Sequence, residues 1–168
     1  EQVGVGVFAT NLIPKGTIVW IKDGLDLMLT EEFIESLGDL QKADVYKYAY
    51  LETDGIYVLH WDHAKYMNHS FKPNCVDTAY NFQMAAKDIQ PGEQLTCDYG
   101  TLKGVEDFEC ISEEGTSRTK VTANDYLTYY EEWDEMARDT FKYFNAVKQP
   151  LRYLINKQYV NKVNAVAN

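Results

Sequence analysis

Cysteine is nearly absent: Cys75, Cys97 and Cys110 are the three that 168 residues contain. A small, odd count without paired spacing excludes a disulfide framework and points to an intracellular, reducing compartment. It also falls short of a four-thiolate zinc site. No apolar run approaches the ~20 residues that span a bilayer, so no membrane partner is expected. Cations are scarce, with 16 Lys and Arg against 26 Asp and Glu and a formal net charge of −10. That balance disfavours direct nucleic-acid binding, which needs basic side chains to neutralise phosphates. It favours cationic partners drawn in by long-range steering, although acidity of this size also serves solubility alone. Neither an initiator methionine nor a signal peptide precedes Glu1, as expected of a trimmed piece of a longer chain. No internal repeat and no flexible linker is visible.

What is present supports one folded domain with a real core, at 45% hydrophobic and 25% charged residues. Val3-Gly4-Val5-Gly6-Val7-Phe8-Ala9 opens the chain, and its alternate glycines let backbone approach a ligand or a neighbouring strand closely. No third glycine and no helix follow, so this is not a dinucleotide fingerprint. Leu12-Ile13-Pro14-Lys15-Gly16 predicts a turn into a strand over residues 17–21. Thr30 reads as a helix N-cap, with Glu31 and Glu32 in the first turn, Phe33, Ile34 and Leu37 as the apolar stripe and Gly38 as the stop. A second short helix is expected over 41–48 and a strand over 58–61. Tyr46, Tyr48, Tyr50, Tyr57 and Trp61 crowd this region, and core packing accounts for most of them.

Residues 66–100 organise the rest. They open with Tyr66-Met67-Asn68-His69-Ser70-Phe71-Lys72-Pro73-Asn74-Cys75, a loop rich in side chains that bond backbone, with a proline fixing one dihedral. A strand-like alternation follows over 80–86. They close with Pro91-Gly92-Glu93-Gln94-Leu95-Thr96-Cys97-Asp98-Tyr99-Gly100, a turn, a short apolar strand and a tyrosine beside a glycine. Two shaped loops presenting polar atoms have the character of a site. Beyond residue 100 a loop is expected over 102–120, carrying Glu106, Asp107, Glu109, Glu113 and Glu114. Helical spacing then runs through Tyr126, Tyr130, Trp133, Ala137, Phe141 and Phe144, with Thr122 or Asn124 as cap. Pro150 interrupts it, and Leu151, Leu154, Ile155, Tyr159 and Val163 begin a second amphipathic helix. Strands and turns first and helices last make an α+β order rather than alternating βαβ.

The glycine pair, the Asn-His-Ser-x-x-Pro-Asn loop and the Gly-Glu-x-Leu-Thr-x-Asp-Tyr-Gly ending, in that order, resemble the SET-domain protein lysine methyltransferases over about residues 4–100. The resemblance implies small curled β-sheets with a pseudoknot, in which the closing segment threads the Asn-His loop. It divides the chain into a SET core at 1–100, a post-SET-like loop at 101–121 and a helical extension packed on the core at 122–168. It implies Tyr99 as the catalytic residue; Gly4, Val5, Gly6, Tyr66, Asn68 and His69 as binders of S-adenosylmethionine, the product being S-adenosylhomocysteine; and Tyr48 as a substrate-channel residue, with Tyr50 an open alternative. Buried tyrosines and core histidines show the same local patterns. Cys97 stands where the family usually has Tyr or Phe, and a small thiol there leaves room for methylation beyond the first. No metal is implied. Phe71 replaces the first cysteine of the family's zinc-binding post-SET segment, and Cys110 alone remains beyond Tyr99. The terminal helices are then expected to close the site, with Tyr126 or Trp133 against it, and remain open to forming a homodimer. The implied partner is a basic, lysine-containing protein or peptide such as a histone tail. The acids at 106–114 and Glu131, Glu132, Asp134 and Glu135 would attract it if they line the mouth. The alternative is a SET-like module that binds a basic peptide without turnover. Cytoplasm and nucleus both stay open.

Overall fold

The structure is a computed structural model and describes residues 4–52, 54–102 and 107–168. Short strands dominate the first hundred residues because each apolar run is brief and ends at a turn. β1 (Ile18–Ile21), β6 (Cys75–Asp77) and β7 (Phe82–Ala85) make an antiparallel sheet in the order β1-β7-β6. β2 (Leu27–Leu29), β4 (Tyr57–Leu59) and β3 (Tyr50–Leu51) make a second, in the order β2-β4-β3. β5 (Asn68–His69) pairs parallel with β8 (Thr96–Cys97), Asn68 opposite Thr96 and His69 opposite Cys97. On its other side the closing segment pairs antiparallel with the N-terminal strand residues, through Phe8 opposite Gln94 and Leu95 N–H on the Val7 carbonyl at 2.8 Å. Residues 93–97 are thus held between two chain segments from far away in sequence. Asn74 completes the thread: its amide donates to the Gln94 carbonyl at 2.7 Å, and its Oδ1 accepts from Thr96 N–H at 2.8 Å.

Thr30 caps α1 (Glu31–Glu35) by accepting from Phe33 N–H at 3.2 Å. Gly38, expected as a stop, instead forms the N-cap of α2 (Asp39–Tyr48). The acidic loop contains a hairpin, β9 (Phe108–Glu109) with β10 (Lys120–Val121), which two-residue strands cannot announce by alternation. The long helical stripe is also broken. α3 (Asp125–Thr128) ends at Tyr129 (φ −110°, ψ 5°), and α4 (Tyr130–Phe141) ends before Phe144 in a run of turns. After Pro150 a 3-10 turn (Arg152–Leu154) comes first, and α5 (Lys157–Val166) starts only once Asn156 caps it, accepting from Gln158 N–H at 3.1 Å. Spacing alone sees the stripe that burial imposes and not the breaks inside it.

The terminal helices lie on the β1-β7-β6 sheet. Phe141, Phe144, Ile155 and Val163 share one buried cluster with Ile18, Ile21, Val76, Phe82 and Met84. Gln149 stitches the same joint: its Oε1 accepts from Ile18 N–H at 2.9 Å, and its Nε2 donates to the Gly16 and Phe144 carbonyls at 2.7 and 2.8 Å. Gly16 has a positive φ of 90°, and a Cβ there would lie 2.8 Å from Tyr143 backbone. Gly16→Ala therefore combines backbone strain with displacement of the C-terminal segment. We expect a loss of about 2 kcal/mol and a melting temperature lower by roughly 5 °C; an unchanged melting curve contradicts that packing.

Candidate functional site

A second buried cluster lies under the threaded strand, comprising Ala9, Met67, Cys75, Ala85, Ile89, Leu95 and Cys97, with Tyr99 packed against it. From β8 the chain turns into a short 3-10 segment (Tyr99–Thr101) capped by Asp98, whose Oδ1 accepts from Gly100 N–H at 2.9 Å. This turn sets the Tyr99 ring. Its backbone N–H donates to His69 Nδ1 at 3.1 Å, and its hydroxyl donates to the Met67 carbonyl at 2.6 Å. Burial pushes the phenol pKa well above its ordinary value, with Cys97 adding to the effect, so the group stays a neutral hydroxyl at physiological pH.

Tyr99 forms part of the wall of a cavity of about 530 Å³. Cys97, Tyr48, Tyr50 and Met67 line it too, so the structure brings together three of the residues singled out for chemistry and substrate, Tyr99, Cys97 and Tyr48. Tyr50 shares the wall, with its ring tilted against His60 at 5.3 Å. The Tyr48 ring meets Tyr66 edge-on at 5.3 Å. Tyr66 thereby stands beside Tyr48, on the cavity's flank. Cys75 and Cys97 are free, buried thiols whose pKa values burial raises. They act here as small apolar side chains.

Asn68, His69 and residues 4–6 gather on the other side of the thread. The Asn68 amide donates to the Val5 carbonyl at 3.1 Å, which draws the glycine pair against the Asn-His loop. Gly6 has no room for a side chain, since a Cβ would come within 3.2 Å of Asn68 Nδ2 and collide with the Gln94 amide. Gly4, at φ 80°, faces open space, and Val5 is 62% exposed. With Nδ1 accepting from Tyr99 N–H, the neutral His69 ring carries its proton on Nε2, which is buried without a partner among the described residues. Exposed chain at Gly4 and Val5, the Asn68 amide and an orphaned ring donor fit a polar ligand such as S-adenosylmethionine. Tyr99 joins the two sides, through its backbone to His69 and through its ring to the cavity.

Hydrogen bonds and ion pairs dock the described part of the post-SET-like segment. Among the described residues, no group of three or more His, Cys, Asp or Glu side chains could hold a metal ion. Glu113 accepts from the Ser70 hydroxyl at 2.8 Å and from Phe71 N–H at 3.1 Å. Arg118 bonds Asp98 through both terminal nitrogens and reaches Asp125 Oδ2 at 2.7 Å. Its guanidinium lies 4.4 Å from the Phe71 ring centre and 4.1 Å from that of Tyr129. Trp133 Nε1 donates to Asp98 Oδ2 at 3.2 Å. The Phe71 ring is thus the platform on which Arg118 stacks. Nothing local marks Arg118 in the sequence, because its partners Asp98 and Asp125 meet it only through the fold.

Asp107, Glu109, Glu113 and Glu114 do not line the cavity, and Glu106 lies outside the described residues. Glu113 is committed to Ser70 and Phe71, and Glu131, Asp134 and Glu135 form a separate patch on α4 with Tyr130 and Arg138. The charged side chains on the cavity wall are Lys22, Lys47, Lys65, Glu52 and Asp77, with His60 alongside them. This corrects the expectation of an acidic mouth for the described acids: residues of β1, β3, β6, β7 and β8, with Thr101 and Leu102 just after Tyr99, form much of the cavity wall.

His60 and His69 are both held below the ordinary imidazole pKa by burial, against the opposing pull of Asp26 and Asp98 respectively. The unfolded chain takes up protons as pH falls below about 6.5 while these folded imidazoles stay neutral, so stability drops in that window. The urea midpoint should be lower at pH 5.5 than at pH 7.5. A flat profile contradicts neutral burial of the two rings.

A family model described as SET domain matches residues 4–100. This chain belongs to the SET-domain family, whose members are protein lysine methyltransferases that use S-adenosylmethionine. No curated protein matches the sequence. Among solved structures, a Plasmodium falciparum protein named as a candidate histone methyltransferase is 23% identical, with a TM-score of 0.40, over 56% of this chain and 82% of that one. KRYPTONITE, solved in complex with mCHG DNA and SAH, is 21% identical with a TM-score of 0.44; the match covers 71% of this chain and 27% of KRYPTONITE.

Proposed function

We propose that this chain transfers a methyl group from S-adenosylmethionine to the side-chain amine of a protein lysine. The observation that carries this is the placement of Tyr99, which lines a 530 Å³ cavity while its backbone bonds the histidine of the Asn-His pair and its hydroxyl bonds the Met67 carbonyl. S-adenosylmethionine supplies an electrophilic methyl on a sulfonium. Backbone at Gly4, Val5 and Gly6, the Asn68 amide and the free His69 Nε2 are the groups suited to hold it. The cavity takes the acceptor: Tyr48 and Tyr50 flank an alkyl chain, and Tyr99 orients the nitrogen at its end. Much of the acceleration in such an in-line displacement comes from alignment. A lysine amine has a pKa of roughly 10.4 in water, so it must lose a proton before it attacks. A partly enclosed wall helps by disfavouring the ammonium.

The substrate we infer is a basic, lysine-bearing peptide, such as a histone tail, attracted at long range by the net charge of −10. Cys97 is buried beside Tyr99 and is smaller than a tyrosine or phenylalanine, so the enzyme should proceed past the monomethyl product. Mass spectrometry after exhaustive reaction should show di- or trimethyl-lysine, and Cys97→Tyr should shift the distribution toward monomethyl. An exclusively monomethyl product from the native chain overturns this. The reading as a whole is tested by methyl transfer to Lys-rich peptides, with calorimetry of S-adenosylhomocysteine binding alongside. Binding without turnover would leave the module that holds a peptide as the better account.

A further inference from the structure

Asp77 ends β6 on the wall of the cavity that holds Tyr99 and Cys97. Its two oxygens meet neutral donors, the Gln83 amide at 2.8 Å and the Thr101 hydroxyl at 2.9 Å, whose one proton is shared with the Asp98 carbonyl at 2.8 Å. Thr101 sits in the same 3-10 turn as Tyr99, so the turn that sets the phenol also fixes this carboxylate. Among the described residues, no cation pairs with Asp77. Lys22, the cation on the same wall, is taken by Glu52 at 2.6 Å. Lys47 and Lys65 stand over the Tyr48 and Tyr66 rings, 5.0 and 5.4 Å from their centres. Burial raises the Asp77 pKa, the Gln83 and Thr101 bonds oppose that shift, and nearby Asp98 adds to it. The other ionisable groups facing this part of the wall are Tyr50, Glu52, His60 and Cys97. A carboxylate withdrawn from water is normally paired with a cation. Asp77 is half-buried, and among the described residues it meets neutral donors and no countercharge.

We propose that Asp77 is the binding site for the substrate's primary ammonium and the acceptor of the proton that nitrogen must lose. The proposal rests on the cavity being the acceptor site, as argued above. One N–H proton passes to the Asp77 carboxylate. The lone pair so freed forms the new N–C bond to the donor methyl, and the C–S bond breaks with its electrons left on sulfur. The Asp77 proton then leaves to solvent through the cavity mouth. The raised affinity of a buried carboxyl for protons narrows the gap between donor and acceptor in that first transfer.

The test uses n-butylammonium and its neutral analogue butan-1-ol as probes of the native chain, followed by chemical-shift titration, with Asp77→Asn and Thr101→Val as variants. Native protein should prefer the ammonium by about tenfold or more, and Asp77→Asn should abolish that preference while S-adenosylhomocysteine binding persists. Thr101→Val, which keeps the carboxylate, should retain it. In methyl transfer, Asp77→Asn should lower kcat/KM by about 10²-fold or more and displace the acid limb of its pH profile. Equal affinity of native protein for the two probes overturns the proposal, and that comparison holds even where Asp77→Asn fails to fold. Native turnover with an unaltered Asp77→Asn profile overturns it too, while leaving methyl transfer standing. An Asp77-dependent ammonium preference in a protein that transfers no methyl group supports the cation site and removes the enzyme reading.

Discussion

Tyr99→Phe should reduce methyl transfer by roughly 10²–10³-fold, the usual cost of removing one preorganised polar group from a reacting centre. The substitution deletes a single oxygen. The ring keeps its contacts with His69 and Phe108, at centroid distances of 5.5 and 6.3 Å, and the backbone N–H keeps its bond to His69 Nδ1. What disappears is the hydroxyl held on the Met67 carbonyl at 2.6 Å. That carbonyl precedes Asn68, so the bond also sets the ring against the Asn-His loop. Binding of S-adenosylhomocysteine should change little, since the groups suited to hold it are backbone, Asn68 and His69. Transfer measured by mass spectrometry, beside calorimetry on the same variant, separates the two effects. Wild-type rates in Tyr99→Phe would remove the phenol from the chemistry; lost product binding at unchanged rate per bound complex would make it a packing residue.

The second large effect is on stability. Arg118→Ala strips the countercharge from Asp98, whose side chain is 2% exposed, and from Asp125, at 6%. Breaking one side of a buried ion pair costs about 3–5 kcal/mol, because a carboxylate remains without compensation. The melting temperature should fall on the order of 10 °C. Arg118→Lys keeps the charge but not the planar fork that bonds two carboxylates and lies flat between the Phe71 and Tyr129 rings, so it should recover only part of the loss. A chelator should leave the native protein's melting point unmoved, because ion pairs and stacked rings close this end of the molecule. A melting temperature in Arg118→Ala within a degree or two of native would show that the β9–β10 hairpin and α3 are held by something else.

Arg118 also shows why the site was only partly legible from sequence. Tyr99, Cys97, Asn68, His69 and the glycine pair carry local motifs, each a short run whose backbone geometry demands those residue types. The parallel pairing of Asn68 and His69 with Thr96 and Cys97 follows from two such runs meeting. Arg118, Glu113 and Asp77 carry none. Arg118 is one cation in an acidic stretch, and its two carboxylates lie 20 residues before it and 7 after. Asp77 looks like the polar end of a strand until Gln83 and Thr101 are seen to fix it on the cavity wall. The helical stripe was similar: Phe141 and Phe144 were legible as core, but the break at Tyr129, whose ring meets Arg118, was not.

The sequence by itself determined the α+β order, the family and the residues flanking the thread, because hydrophobic period, turn chemistry and a loop satisfied by its own side chains act over a few neighbours. Only the tertiary structure decided which charges meet. An ion pair or an unpaired carboxylate is defined by distances across the fold, and those depend on how strands from opposite ends of the chain pack. Arg118 closed over Phe71 and Asp77 left facing a cavity are outcomes of that packing.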